Sequence, residues 1–249
     1  MSTLSDRGAV RLAIDGSSAL KVPLSADVHA VTRLAARYDE DYYERGVEKG
    51  ISGYSNYRWI PELTVPMAMT LIDTMGIGPG QRVLDFGCAK GFTVKALRML
   101  RRDAHGIDIS EYAISQVPHN VKAHCELVEE LGEYASWHRY AHVIAKDVLE
   151  HVPQELMDET LGHIAQMGES FLAVVPLGTG GDGAKYVIDA YERDVTHVIR
   201  EPALWWCQAI SRHYRDVTWR HHIDGIKDNW FRVDPLGNAA ILARGPRCR

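Results

Sequence analysis

The chain has 249 residues, room for one large domain or two small ones. Apolar residues make up 46% and charged residues 24%, an ordinary globular balance that excludes disordered, collagen-like and coiled-coil readings. With 28 Lys and Arg against 33 Asp and Glu the formal charge is -5, so no general positive field draws in a phosphate backbone and nucleic acid is disfavoured as a partner.

No apolar run reaches the roughly 18 residues that a membrane span needs. Asp6, Arg7, Arg11, Asp15 and Lys21 interrupt the N-terminal stretch, which therefore lacks the apolar region of a signal peptide. The expectation is a cytoplasmic protein with no membrane partner. Cys88, Cys125, Cys207 and Cys248 are widely spaced, without a C-x-x-C pair, and read as reduced thiols.

In chain order, residues 10–14 and 19–24 alternate around Asp15-Gly16-Ser17-Ser18, the pattern of a hairpin. Val28, Val31, Leu34 and Ala35 predict an amphipathic helix over 26–45, and Tyr38, Tyr42, Tyr43, Tyr54, Tyr57 and Trp59 make an aromatic approach to the main domain. Residues 1–60 are thus expected to be a helical and hairpin extension covering a site, and 61–249 that main domain. Thr64 before Pro66 signals a helix start, and Gly76 a stop. Short apolar runs at 82–85, 104–107, 121–124, 141–145 and 171–175 then alternate with helical patterns, which predicts a parallel sheet with crossover helices. A long polar connection over 177–201, a helix over 202–213 and strands at 217–222 and 239–243 complete the chain.

The most informative stretch is Val83-Leu84-Asp85-Phe86-Gly87-Cys88-Ala89-Lys90-Gly91-Phe92, a strand that enters small residues and then a helix. Small residues there let a ligand approach the backbone amides of a helix start. Gly106-Ile107-Asp108 ends the second strand with a carboxylate, where dinucleotide folds hold a ribose about 20 residues beyond the loop. A nicotinamide or flavin fingerprint would need glycines at 87, 89 and 92, and the chain has Ala89 and Phe92 instead.

With Asp85, Gly87, Ala89 and Gly91 in the first motif, Asp108-Ile109-Ser110 in the second and Asp147-Val148-Leu149-Glu150-His151-Val152-Pro153 after the fourth strand, the chain resembles the class I S-adenosylmethionine-dependent methyltransferases. The resemblance implies a doubly wound, mostly parallel, seven-stranded Rossmann-like α/β sheet and a transferase activity with S-adenosylmethionine as cofactor. It assigns the cofactor to Asp85, Gly87, Cys88, Ala89, Gly91, Asp108, Ile109 and Asp147. For the acid on the adenine side Glu126 leads over Glu129 and Glu130. Ala89 departs from the family's middle glycine, and a positive φ is therefore not expected there.

A hydroxyl acceptor needs a base, and the residues on the ligand rim of a parallel sheet are those following its strands. Of the 12 histidines, His151 and His197 meet this condition and are the expected catalytic residues. His105 and His124 read as structural. The connection over 223–238, with Lys227, Asp228, Asn229, Trp230 and Phe231, is expected to join Tyr54 and Tyr57 around the acceptor, while Trp205 and Trp206 read equally as pocket or core. A closed aromatic site favours O-methylation of a small molecule, such as a sugar, sugar nucleotide or natural product. Two alternatives stay open: a metal-assisted RNA 2'-O-methyltransferase, because Asp147-x-x-Glu150-His151 resembles the metal-binding segment of the small-RNA enzymes, and a non-catalytic cofactor-binding subunit. No metal is the favoured reading, since Val152 before Pro153 argues against a continuous ligand-bearing helix. The expected partners are a small-molecule acceptor and a second copy of the chain in a homodimer.

Overall fold

The computed structural model describes residues 10–11 and 34–247. Its sheet is built around β2 (Arg82–Phe86), which pairs in parallel with β3 (Asp103–Asp108) on one side and β5 (Tyr140–Lys146) on the other. Beyond β3 lies β4 (Cys125–Leu127), and beyond β5 lies β6 (Gly168–Pro176), both parallel. β8 (Asn238–Pro246) runs antiparallel between β6 and β7 (Tyr214–Arg220). Seven strands are expected, and all but β4 overlap the spans the sequence assigns them. A two-residue strand, β1 (Val10–Arg11), adds an eighth at the free edge of β7.

Alternation along the strands decides which core each side chain joins, because successive Cβ atoms point to opposite faces. Leu84, Phe171, Ala173 and Val175 enter one apolar layer with Trp206 and Tyr214. Val83, Leu172 and Val174 enter the other with Leu71 and Leu97. Helices α3 (Pro61–Met75) and α4 (Phe92–Met99) supply the second layer. Helices α7 (Gln154–Met167) and α8 (Ala203–Ser211) supply the first. Between them in the chain come the short helices α5 (Glu111–Ser115) and α6 (Leu131–Trp137), and α9 (Asp228–Val233) precedes β8.

Several local expectations are corrected. The helix expected over 26–45 has 26–33 outside the described residues, and in its remainder the chain turns at 35–38 and restarts as α1 (Glu40–Glu44), followed by α2 (Gly46–Lys49). Asp39 causes the break, since its side chain accepts from Tyr42 N at 3.0 Å as an N-cap. Most of the expected hairpin, its turn included, also lies outside the described residues. α3 starts at Pro61 rather than at Pro66, because Pro61 already occupies the first helical position, where its missing N–H is harmless. The strand expected at 121–124 is a 3-10 turn (His119–His124), opened by Val121 N donating to Pro118 O at 2.9 Å, and β4 begins just after it. Among the described residues no helix is long and apolar enough to cross a membrane.

Candidate active site

The strand order places β2 between β3, which leads outward, and β5, which leads the other way, so a crevice opens at their carboxyl ends. There the chain forms a cavity of about 920 Å³, within the usual range for small-molecule sites. Asp85, Gly87, Cys88, Ala89, Asp108, Ile109, Asp147 and His151 line it. Gly91, Glu126 and His197 do not, and Glu129 and Glu130 take the wall beside β4 that the sequence reading gives to Glu126. Glu126 is instead exposed on β4, opposite Ile107.

The loop after β2 is shaped by Asp108. Its Oδ2 accepts from Ala89 N at 2.7 Å and its Oδ1 from Ser110 N at 2.8 Å, so one carboxylate fixes both the glycine-rich loop and the start of α5. Burial raises the Asp108 carboxyl above its ordinary value, against the backbone N–H groups of Ser110, Ala89 and Ile109. Ala89 lies at φ 48°, contrary to expectation; the hydrogen bond from its N–H to Asp108 accompanies that left-handed geometry. The glycines also meet a packing requirement. A Cβ on Gly87 would lie 2.5 Å from Val148 Cγ2, and one on Gly91 would lie 2.8 Å from Cys125 Sγ. Asp85 is buried at the base of the loop, and burial pushes its carboxyl up to about 7 despite Lys146.

The aromatic segment closes one side of the cavity. Tyr38, Tyr42 and Tyr43 are buried together, with Tyr54, Tyr57, Ala89 and Ile109 packed against them. Two polar side chains, Ser110 and Lys90, fasten this cover by contacts absent from the sequence reading. Ser110 Oγ donates to Tyr38 O at 2.5 Å. Lys90, nearly buried within the loop itself, is paired with Glu44, and its Nζ donates to Tyr57 O at 2.8 Å. A lysine inside a ligand loop was the available signal, since it had to find an anionic partner or reach solvent.

Lys227, Asp228, Asn229, Trp230 and Arg232 also line the cavity, whereas Phe231 stacks on His222 with ring centroids 4.0 Å apart. Asp147, at φ 56°, joins this loop to the sheet by ion pairs to both Lys146 and Lys227. Although burial opposes it, those two ammonium groups hold the Asp147 carboxyl well below the usual carboxylate range. Trp205 and Trp206 belong to the core: Trp206 is fully buried and Trp205 packs against the same cluster.

His151 ends the 3-10 turn Leu149–His151 and lines the cavity from the end of β5. Burial, with His197 beside it, pushes its imidazole down to about 4. His197 lies behind it, ring centroids 4.6 Å apart, and burial lowers it as well. Glu150, His151 and His197 each offer a metal-ligand atom, and these atoms lie within 4.8 Å of one another.

A model of the methyltransferase domain matches residues 62–220. No curated protein matches the sequence. Among solved structures, the chain is similar to a SAM-dependent methyltransferase from Archaeoglobus fulgidus (18% identity, TM-score 0.52, covering 72% of this chain and 92% of that one). It is also similar to the N-terminal domain of EvdMO1 with SAH bound (12% identity, TM-score 0.55, covering 87% and 96%). A third is the geranyl diphosphate C-methyltransferase from Streptomyces coelicolor A3(2) in complex with Mg2+, geranyl-S-thiolodiphosphate and S-adenosyl-L-homocysteine (12% identity, TM-score 0.51, covering 72% and 74%). At these identities the likeness is one of fold.

Proposed function

The chain belongs to the methyltransferase domain family, and from that membership we propose that it methylates a hydroxyl of a small molecule, of the sugar, sugar-nucleotide or natural-product class, using S-adenosylmethionine. When bound, S-adenosylmethionine supplies an electrophilic methyl group on a sulfonium. The donor set of the cavity fits it: Asp85, Asp108, Glu129 and Glu130 are carboxylates on the β2, β3 and β4 side, suited to an ammonium, a pair of ribose hydroxyls and an adenine amino group. Asp108 would hold the ribose, Asp85 the ammonium end, and Glu129 or Glu130 the adenine edge.

The carrying observation is that the cavity lined by these carboxylates is also lined by His151, Tyr54, Tyr57, Asn229 and Trp230. Aromatic side walls and a few polar groups suit a compact acceptor. The cover and the Lys227 loop align the acceptor and exclude water, and alignment of reactants is worth several kcal/mol in a displacement. His151, lining the cavity, would take the proton of the acceptor hydroxyl as its oxygen bonds the methyl group and the sulfonium–methyl bond breaks. Residues 1–60 act as the cover and 61–249 as the catalytic domain.

The test is turnover with methyl-labelled S-adenosylmethionine against sugars, sugar nucleotides and phenols, following S-adenosylhomocysteine and the labelled product. The expected result is acceptor-dependent turnover with the label on oxygen. Labelling on nitrogen or carbon, or turnover only with RNA, would overturn the acceptor assignment.

A further inference from the structure

The turn Leu149–His151, whose last residue lines the cavity, meets the segment that follows the 3-10 turn Asp189–Arg193. Val198 N and Ile199 N both donate to Glu150 O, at 2.8 and 3.2 Å, which sets the register between the two. That register brings Thr196 Oγ1 to 2.8 Å from His151 Nδ1. Asp194 and Thr196 are 6% and 2% exposed, and neither lines the cavity. The cover grips the same segment: Val195 N donates to Ile51 O at 3.1 Å, and Arg37 Nη2 donates to Val195 O at 3.2 Å.

The hydrogen bonds around Asp194 determine where the protons lie. Its donors among the described residues are neutral. Tyr42 OH, from the cover, donates to Oδ2 at 2.9 Å, while Thr196 N and Thr196 Oγ1 both donate to Oδ1, at 3.0 and 2.5 Å. His197 is not a further donor. Its Nδ1 lies 2.9 Å from Tyr191 O, which only accepts, so the lone pair of the neutral ring is on Nε2, 3.9 Å from Asp194 Oδ2.

A buried carboxylate ordinarily finds a cation. Here its charge acts instead on the Thr196 hydroxyl, whose proton it holds. With that proton committed, Thr196 Oγ1 can only accept from His151 Nδ1. Burial keeps the His151 ring neutral, so a proton on Nδ1 leaves the one ring lone pair on Nε2. Tyr38 and His197 pack edge-on against the same ring, with centroids 5.8 and 4.6 Å away, and hold its plane.

We propose that Asp194 and Thr196 are positioning residues for His151: Asp194 orients the Thr196 hydroxyl, and the hydroxyl fixes the His151 proton on Nδ1 and the lone pair on Nε2. The use of that lone pair as a base rests on the function proposed above; the tautomer does not. When the acceptor hydroxyl gives its proton to Nε2, its oxygen bonds the methyl group and the sulfonium–methyl bond breaks. The imidazolium so formed keeps its Nδ1–H on Thr196, with the Asp194 charge one hydroxyl away to stabilise it. A carboxylate in this position acts through tautomer and charge without taking the proton itself. The sequence reading places a catalytic residue of this segment at His197. The hydrogen bonds give the neighbouring Asp194 and Thr196 the part that bears on His151, while His197 commits its Nδ1 proton to Tyr191.

The test reads the ring nitrogens directly. In the full chain labelled with 15N-histidine, two-bond couplings from the carbon-bound ring protons distinguish a protonated nitrogen from one with a lone pair. The His151 signals are those missing from His151→Gln. The expected result is a parent with the His151 proton on Nδ1, retained in Thr196→Ser. Thr196→Val keeps the shape of the side chain and removes the acceptor, and the proton should leave Nδ1 for Nε2. With an acceptor that turns over, Thr196→Val should lower kcat roughly tenfold or more, with acceptor KM changed by no more than about twofold, and Thr196→Ser should restore most of the rate. Calorimetry with S-adenosylhomocysteine on the same samples shows that each variant is folded. A His151 proton on Nε2 in the parent, or an unchanged tautomer and kcat in a Thr196→Val protein that binds S-adenosylhomocysteine like the parent, would overturn the positioning role. The expected tautomers in parent and variants, together with a His151→Gln protein that turns over as fast as the parent, would keep the positioning of His151 and remove the base from the proposed function.

Discussion

Ala89 carries a methyl group at φ 48° in the loop after β2. A left-handed conformation costs a non-glycine residue roughly 1 to 2 kcal/mol, so Ala89→Gly is expected to raise stability by about 1 kcal/mol in urea unfolding, with the bond from position 89 N to Asp108 retained. A lower midpoint would show that the loop is not strained there. Asp85 yields a pH dependence. Its carboxyl, raised to about 7, is neutral below that pH and negative above it, so affinity for the cationic cofactor rises from pH 6 to pH 8. Asp85→Asn should flatten that rise in calorimetric titrations, and an unchanged slope would separate Asp85 from the ammonium. At this scale the sequence located the loop and its acids, because their chemistry is tied to strand ends. Glu126, which the sequence favours, stays outside the cavity, and the close neighbours of the glycines come from elsewhere: Val148 beside Gly87 and Cys125 beside Gly91 are both distant in the chain.

At the scale of elements, the cover is where long-range contacts decide the structure. The tyrosines announced an apolar surface, and they do pack on Ala89 and Ile109. Its fastening, the Lys90–Glu44 pair, was not legible, since nothing in periodicity matches residues 46 positions apart. Deletion of residues 1–45 removes Tyr38, Tyr42, Tyr43 and Glu44 and leaves Lys90 without its carboxylate. The expected outcome is a sheet that still unfolds cooperatively and a cofactor affinity weakened by about tenfold or more, about 1.4 kcal/mol. Full affinity in the truncated chain would show that the cover does not close the site. The Lys227 loop is joined through Asp147, which two lysines hold. Lys227→Met is expected to raise the acceptor KM while leaving S-adenosylhomocysteine affinity nearly unchanged, because the change falls on the acceptor side. A matching loss of cofactor affinity would place that loop over the cofactor instead.

For the molecule as a whole, the fold class and the position of the crevice were legible because alternating apolar runs and helices admit few topologies. The antiparallel β8 and the two-layer core agree with that reading. The approach of residues 194–199 to the turn after β5 was not, since a long polar connection carries no register, and it buries His197 beside His151. All functional assignments depend on Asp108 receiving the cofactor at the end of β3. The direct measurement is isothermal titration of S-adenosylhomocysteine into the parent chain and into Asp108→Ala. Hydrogen bonds to a charged group are worth about 1.5 to 3 kcal/mol, so the variant should bind roughly 10- to 100-fold more weakly than the parent. Equal affinity in a folded variant, or no binding by the parent, would contradict it.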